Sequence, residues 1–281
     1  MQVAKECTVS LSTSLRILPQ NQLLTALPPK TYARLLTKLE IVPLIFKRVI
    51  YLPGYLPQHV YFPLSGVISL LTILADGTET EVGIVGNEGI AGISVFLGVD
   101  TTSSKALVQI PGDAMRMRIS DFKAEILDNE LHNLLQRYTQ TLIGQISQAV
   151  ACNCHDSVEE RCCRWLLMCH DRAKSDHFPI THEFLSHMLG VRRASVTVVA
   201  GMLQKAGLIS YSRGRITILN RRGLEEVACE CYQTIKSEFD RVFSVTVVTT
   251  LGSRRADMKK SPNELSGLFC RIADRLVEYN E

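Results

Sequence analysis

No apolar run in this 281-residue chain approaches the roughly 18 residues that a helix needs to cross a bilayer. The first fourteen residues hold Lys5 and Glu6 but no apolar block followed by a small-residue cleavage site. No leader is read there, and the expectation is a soluble, cytoplasmic protein with no membrane partner. The nine cysteines are an odd number without a leader, which argues against a disulfide framework, so most are expected to be small buried hydrophobes. G-x-S-x-G, P-loop and H-E-x-x-H motifs and a recognisable carboxylate pair are all missing, so no catalytic residue is assigned and enzymatic activity is not expected. The most informative absence is local. Positions 191–222 contain no Asp or Glu but seven basic residues: Arg192, Arg193, Lys205, Arg213, Arg215, Arg221 and Arg222. Widened to 157–222, the window carries a net +6 in a chain whose total is only +3, leaving −3 for the rest. Charge of one sign gathered in one segment is the electrostatic footprint of a polyanion partner, although a solvated basic face has the same composition.

What is present falls into three regimes of periodicity. Leu23, Leu24 and Leu27, then Tyr32, Leu35, Leu36 and Leu39 beyond Pro28-Pro29, give a short helical signal over 19–40. From 41 to 119, short runs of Val, Ile, Leu, Tyr and Phe are punctuated by turns at 52–54, 65–66, 76–77, 86–89 and 111–113. Turns about every ten residues predict an antiparallel barrel or sandwich, with Asp76-Gly77 as the hairpin between 70–74 and 80–84. After Ser120 the period becomes helical. Leu131, Leu135, Tyr138, Leu142, Gln145 and Ala149 step alternately by four and three. That is an a/d seam, expected to join two copies; a helix packed on its own domain has the same pattern. A further helix follows over 158–171. At the C-terminal end, 243–251 reads as strand and 263–279 as helix.

The segment 177–222 carries the sharpest signal. Thr181 is the predicted N-cap of a helix over 182–189, Gly190 ends it, and a second helix spans 192–206 with Val196, Val199, Leu203 and Met202 inward. Two β-rich runs around Ser212-Arg213-Gly214-Arg215 form a hairpin wing. Arg192, Arg193, Ser195 and Thr197 at the start of the second helix are the expected contacts to base edges and phosphates. Arg213 and Arg215 at the wing tip are the expected phosphate contacts, and Thr181 is placed with the same DNA-binding set. The same unit can also serve protein contacts alone.

These residues resemble the Crp/Fnr family of transcription regulators. The resemblance is carried by THEFLSHMLGVRRASVT at 181–197, GLI at 207–209 and GRITI at 214–218. YFPLSG at 61–66, Asp76-Gly77 and GNEGIAG at 86–92 resemble that family's cyclic-nucleotide-binding-like jelly roll. It covers about residues 20–240. The implied fold is α+β: a jelly-roll sensor domain at 19–120, a dimerisation helix and hinge at 121–156, and a winged helix-turn-helix at 157–240. An extension of unassigned role follows at 241–281. The implied function is sequence-specific DNA binding by a homodimer on a pseudo-palindromic operator, with RNA polymerase as a further partner. A small-molecule effector would select the DNA-competent arrangement of the helices.

The chain also departs from the family. The Arg-Ser pair that holds cyclic phosphate aligns with Ser104-Lys105, and Glu88 falls near the ribose-binding Glu. Lys105 lacks the bidentate fork of Arg, so usual cyclic AMP binding is not expected, and the effector pocket is placed at Glu88, Ser104 and Lys105. The N-terminal cysteine cluster of the iron–sulfur members is reduced to Cys7, and His59 is read as structural, not as a haem ligand. The cofactor is left unassigned. The family's Arg-Glu-x-x-x-Arg reader set becomes Arg193-Ala194-x-x-x-Val198. Cys152-x-Cys154-His155, Cys162-Cys163 and Cys169-His170 are chemically suited to zinc or a thiol switch, but their spacing fits no structural zinc pattern, and no metal ligand is assigned. Cys229-Glu230-Cys231 is a weaker signal still. The alternative reading is a nucleotide-binding or redox- or metal-responsive module that acts through protein contacts.

Overall fold

The structure is a computed structural model that describes residues 21–99 and 101–253. Cys7, the start of the first helical signal and the predicted helix at 263–279 lie outside the described residues. Two short helices open the fold, α1 (Gln22–Thr25) and α2 (Pro29–Leu36). Asn21 caps α1 by accepting from Leu24 N–H, and its amide donates to the carbonyls of Pro63 and Gly89, which ties the entry to the barrel.

The turn-punctuated region forms the predicted antiparallel barrel. Strands β1 (Glu40–Leu44), β7 (Gly112–Arg118) and β3 (His59–Pro63) make one sheet in the order β1-β7-β3. Strands β2 (Val49–Tyr51), β6 (Lys105–Ile110), β4 (Val67–Ile73) and β5 (Glu79–Val85) make the other in the order β2-β6-β4-β5. Asp76-Gly77 sits in the β4–β5 hairpin, where the Asp76 carboxylate accepts from Thr78 N–H and Ile73 pairs with Glu79. Inward side chains such as Val60, Phe62, Ile68, Leu71, Ile84 and Val108 fill the space between the sheets.

Helix α3 (Ile119–Glu125) leads into α4 (Asn129–His155), whose 27 residues span about 40 Å. The predicted seam is buried, but within its own chain. Leu131, Leu135 and Tyr138 are inaccessible, and Leu142 and Gln145 nearly so. Gln145 uses both ends of its amide on Ile84, accepting from its N–H and donating to its carbonyl. Tyr138 lies so close to the 86–89 turn that a Cβ on Gly89 would sit 2.2 Å from its hydroxyl, which excludes any larger residue there without movement.

Helix α5 (Val158–Ala173) starts with a capping box between Ser157 and Glu160. The strand β8 (His177–Pro179), for which the local sequence carries no strand signal, pairs with β10 (Arg215–Ile218), which also pairs with β9 (Ile209–Ser212). Between them lie α6 (His182–Leu189) and α7 (Arg193–Lys205), followed by α8 (Arg221–Val227). Helix α9 (Cys231–Ser253) corrects the expected strand at 243–251. Tyr232, Ile235, Phe239 and Val242 recur at helical spacing and are buried, with the Phe239 ring 6.2 Å from that of Tyr138. That packing carries the helix through a β-branched stretch and across position 240, where the sequence suggested a boundary.

Candidate functional site

The helix-turn-helix is set up by local chemistry. Thr181 caps α6 by accepting from Phe184 N–H, and Gly190 ends it with φ +62, a left-handed conformation natural to glycine. Val196, Val199 and Leu203 seat α7 inward as expected, whereas Met202 is a correction: it is 48% exposed, beside Val198 at 63%. Arg192, the N-cap residue of α7, and Arg193, its first residue, are exposed at its positive end.

At the wing, Arg213 and Gly214 have φ +48 and +75, and Ser212 pairs with Arg215. Two central residues at positive φ make a two-residue type I′ hairpin, and an arginine in that conformation is itself mildly strained. Arg213 and Arg215 are exposed. Arg192, Arg193, Arg213 and Arg215 form no ion pair with any described residue. By contrast, Arg221 is held by Asp171 at 2.7 Å and by Glu225, and Arg222 by Glu226.

Two predicted contacts have their hydroxyls engaged. Thr181 caps α6, and Thr197 donates to Arg193 O and lies 3.1 Å from His182 Nδ1. His182 stacks on Tyr211 at 4.2 Å, linking α6, α7 and the wing. Burial lowers the pKa of His182, with Arg193 adding to the effect. Neither His182 nor Tyr211 has a local sequence signal beyond its neighbour.

The three residues placed in an effector pocket are not brought together. Glu88 follows the C-terminal end of β5. Ser104 directly precedes β6 and Lys105 is its first residue, toward the other end of that sheet, where Lys105 pairs with Glu79 at 2.7 Å and Ser104 with Thr102. Seven strand residues separate the two places, about 20 Å. Glu88 is already occupied: it accepts from Gly86 N–H and from Arg172 Nε at 2.9 Å, with both side chains 7% exposed. Arg172 also donates to Met168 O and lies over the Phe239 ring. Met168, Asp171, Tyr232 and Lys236 line the cleft around this pair.

A second junction joins the barrel to the winged helix. Glu81 on β5 accepts from Trp165 Nε1 at 2.8 Å and from the Ser69 hydroxyl at 2.5 Å. Burial pushes its carboxyl up to about 7 from 4.5, against the pull of those two hydrogen bonds. A raised folded-state pKa means that the native protein keeps a proton that the unfolded chain has lost. The resulting stability is complete below about pH 4.5 and is lost as pH rises through about 7. Urea midpoints at about pH 5 and about pH 8 should therefore differ more for the wild type than for Glu81→Gln. Equal pH responses would remove Glu81 from this role.

The cysteines divide in an unexpected way. Cys162, Cys163 and Cys169 are core residues whose thiols are pushed up by burial, Cys163 to about 12. Cys154 is exposed, and His170 is engaged with Asp176 and Arg221. Cys152 instead meets Cys229, from 77 residues away, at 3.3 Å.

Comparison with known proteins agrees with this architecture. Residues 160–227 match the family model of the Crp-like helix-turn-helix domain. The global nitrogen regulator of Nostoc sp. strain PCC 7120 is 23% identical over 182 residues, 61% of this chain and 81% of that protein. The structure of FixK2 from Bradyrhizobium japonicum aligns with a TM-score of 0.57 at 16% identity, covering 68% of this chain and 98% of that one. A transcriptional regulator of the CRP/FNR family from Thermus thermophilus aligns at 0.56 and 22% identity, covering 67% and 98%. The likeness to those structures is one of overall fold. This chain therefore carries a Crp-like helix-turn-helix domain and has the fold of the Crp/Fnr family of transcription regulators.

Proposed function

We propose that this chain regulates transcription as a homodimer that reads a two-fold symmetric DNA site, with Arg192, Arg193, Ser195 and Thr197 at the bases and Arg213 and Arg215 on phosphates. The observation that carries this reading is the set of four exposed arginines on α7 and the wing tip that have no ion-pair partner among the described residues. Ala194 and Val198 are exposed beside Arg193 and carry no polar group; they suit contact with thymine methyl groups.

The seam first expected to join two copies is used within the chain, so the dimer contact moves to the opposite face of α4. Gln140, Ile143, Ser147, Val150 and Cys154 are all exposed and again alternate by three and four. Ile143 and Val150 are 51% and 60% exposed, and no charged residue occurs from 138 to 154. An uncharged stripe of that length on a surface helix suits a second copy of the same helix.

Cyclic AMP held in the family manner does not suit this barrel. Glu88 is committed to Arg172, and Lys105, a point charge paired with Glu79, lies far from it. Any effector or polymerase contact is part of the same proposal and rests on the family likeness alone.

Selection of sites from a random duplex library should enrich half-sites about 10–10.5 base pairs apart. Ile143→Lys with Val150→Lys should sediment as a folded monomer and lose the paired half-sites. Failure to enrich any sequence, or a wild-type monomer, would overturn the reading.

A further inference from the structure

The last turn of α4 presents Cys152 and Asp156 on one face, four residues apart. The segment between α8 and α9 brings Cys229 and Cys231 against them. One ligand atom from each of these four residues lies within 4.8 Å of all the others. The Sγ atoms of Cys152 and Cys229 are 3.3 Å apart, and Cys231 Sγ lies 3.6 Å from Asp156 Oδ2. A tetrahedral zinc ion with thiolates at about 2.3 Å holds its donor atoms about 3.5–3.8 Å apart, which this cluster matches with only small adjustments. All three thiols are buried, whereas Cys154, two residues from Cys152, is exposed.

Charge supplies a second, independent observation. Three thiolates and a carboxylate around a divalent ion carry a net charge of −2. Two arginines of α5, Arg161 and Arg164, are 8% and 7% exposed, and the Nε–H of each has no hydrogen-bond partner among the described residues. Both lie within electrostatic range of Cys152 and Asp156. Without a metal, two buried guanidiniums share the single carboxylate of Asp156 as nearby counter-charge; beside the metal-bound cluster, with its net −2, they are balanced. Gln148 Nε2 lies 3.1 Å from Cys231 Sγ, the kind of outer hydrogen bond that orients a metal thiolate.

We propose that Cys152, Asp156, Cys229 and Cys231 form a site for a thiophilic divalent cation of the zinc class, clamping the start of α9 to the end of the long helix. Four protein ligands close the coordination sphere, which marks a structural or regulatory ion, with no open position for chemistry. The clamp sits one residue before Ser157, where the winged-helix unit begins. Ligand thiols lose their protons on binding, so uptake releases protons and weakens in acid.

The full chain, purified under reducing conditions without chelator, should carry one zinc per chain. After chelation, cobalt(II) should restore the visible bands of a tetrahedral ion and the near-ultraviolet thiolate-to-cobalt charge-transfer band. Cys152→Ser and Cys229→Ser should each weaken uptake and diminish that band, and Cys154→Ser should leave it intact. Asp156→Asn, which keeps all three thiols, should alter the visible bands while preserving charge transfer. This guards against loss of signal through misfolding of a cysteine variant. Reduced wild type that takes up neither zinc nor cobalt would overturn the proposal. So would equal loss in Cys154→Ser and Cys229→Ser, or a Cys152–Cys229 disulfide as the resident state of the purified protein.

Discussion

Arg172→Met should destabilise this protein by about 3–5 kcal/mol, the usual cost of leaving one member of a buried ion pair without its partner. Arg172 reaches from α5 into the barrel and meets Glu88 at 2.9 Å, where both side chains are almost wholly buried. Without the guanidinium, the buried Glu88 carboxylate is left with no counter-charge at its side. Combining Arg172→Met with Glu88→Leu should cost less than the sum of the single changes, because no orphaned charge remains. Urea unfolding followed by the fluorescence of Trp165, the chain's single tryptophan, reads the junction directly. A loss below about 1 kcal/mol for Arg172→Met, or strict additivity in the double variant, would show that the pair is not what fastens winged helix to barrel.

The second large effect concerns DNA. Replacing Arg192, Arg193, Arg213 and Arg215 together by Gln should flatten the salt dependence of binding by about 0.9 in log–log slope for each phosphate no longer neutralised. Stability should barely move, because exposed substitutions of this kind usually change it by no more than about 0.5 kcal/mol. Taken singly, the arginines should separate. Arg193→Ala should cost about 1–3 kcal/mol on the best site and relax the preference at one base position. Arg213→Asn should weaken all sequences alike while keeping the turn, since Asn tolerates the left-handed backbone that Arg213 adopts. Wild-type binding that ignores salt would favour a winged helix used for protein contacts. Unchanged specificity in Arg193→Ala, with binding abolished by Arg213→Asn, would reverse the assignment of base reader and phosphate contact.

The parts of this fold legible in the chain are those encoded by neighbours. Thr181 and Gly190 delimit α6 to the residue because a cap and a left-handed stop act within one turn of helix. Asp76-Gly77 and Arg213-Gly214 locate their hairpins because turn geometry is decided over four residues. The basic window is a matter of composition and needs no structure at all. Its division does need one: Arg221 is drawn into the core contacts of Asp171 and Tyr232, and Arg213 is left to solvent.

What neighbours do not encode is the identity of a distant partner. The alternation from Leu131 to Gln145 states that one face of α4 is buried. It does not say whether barrel and α9 or a second copy covers that face, since periodicity is a property of one helix alone. The strand-like 243–251 stretch became helix because packing from Tyr232 to Val242 outweighs a local preference worth only tenths of a kcal/mol per residue. Glu88 reads like a ligand contact until Arg172, 84 residues away, is seen to occupy it. The sequence by itself thus determined the barrel hairpins, the winged helix and the charge that faces outward from it. Only the tertiary structure decided which face of the long helix is free and where Glu88 is spent. It also brought Cys152 to Cys229 and Cys231, because contacts closed over such loops leave no periodic trace in the residues between them.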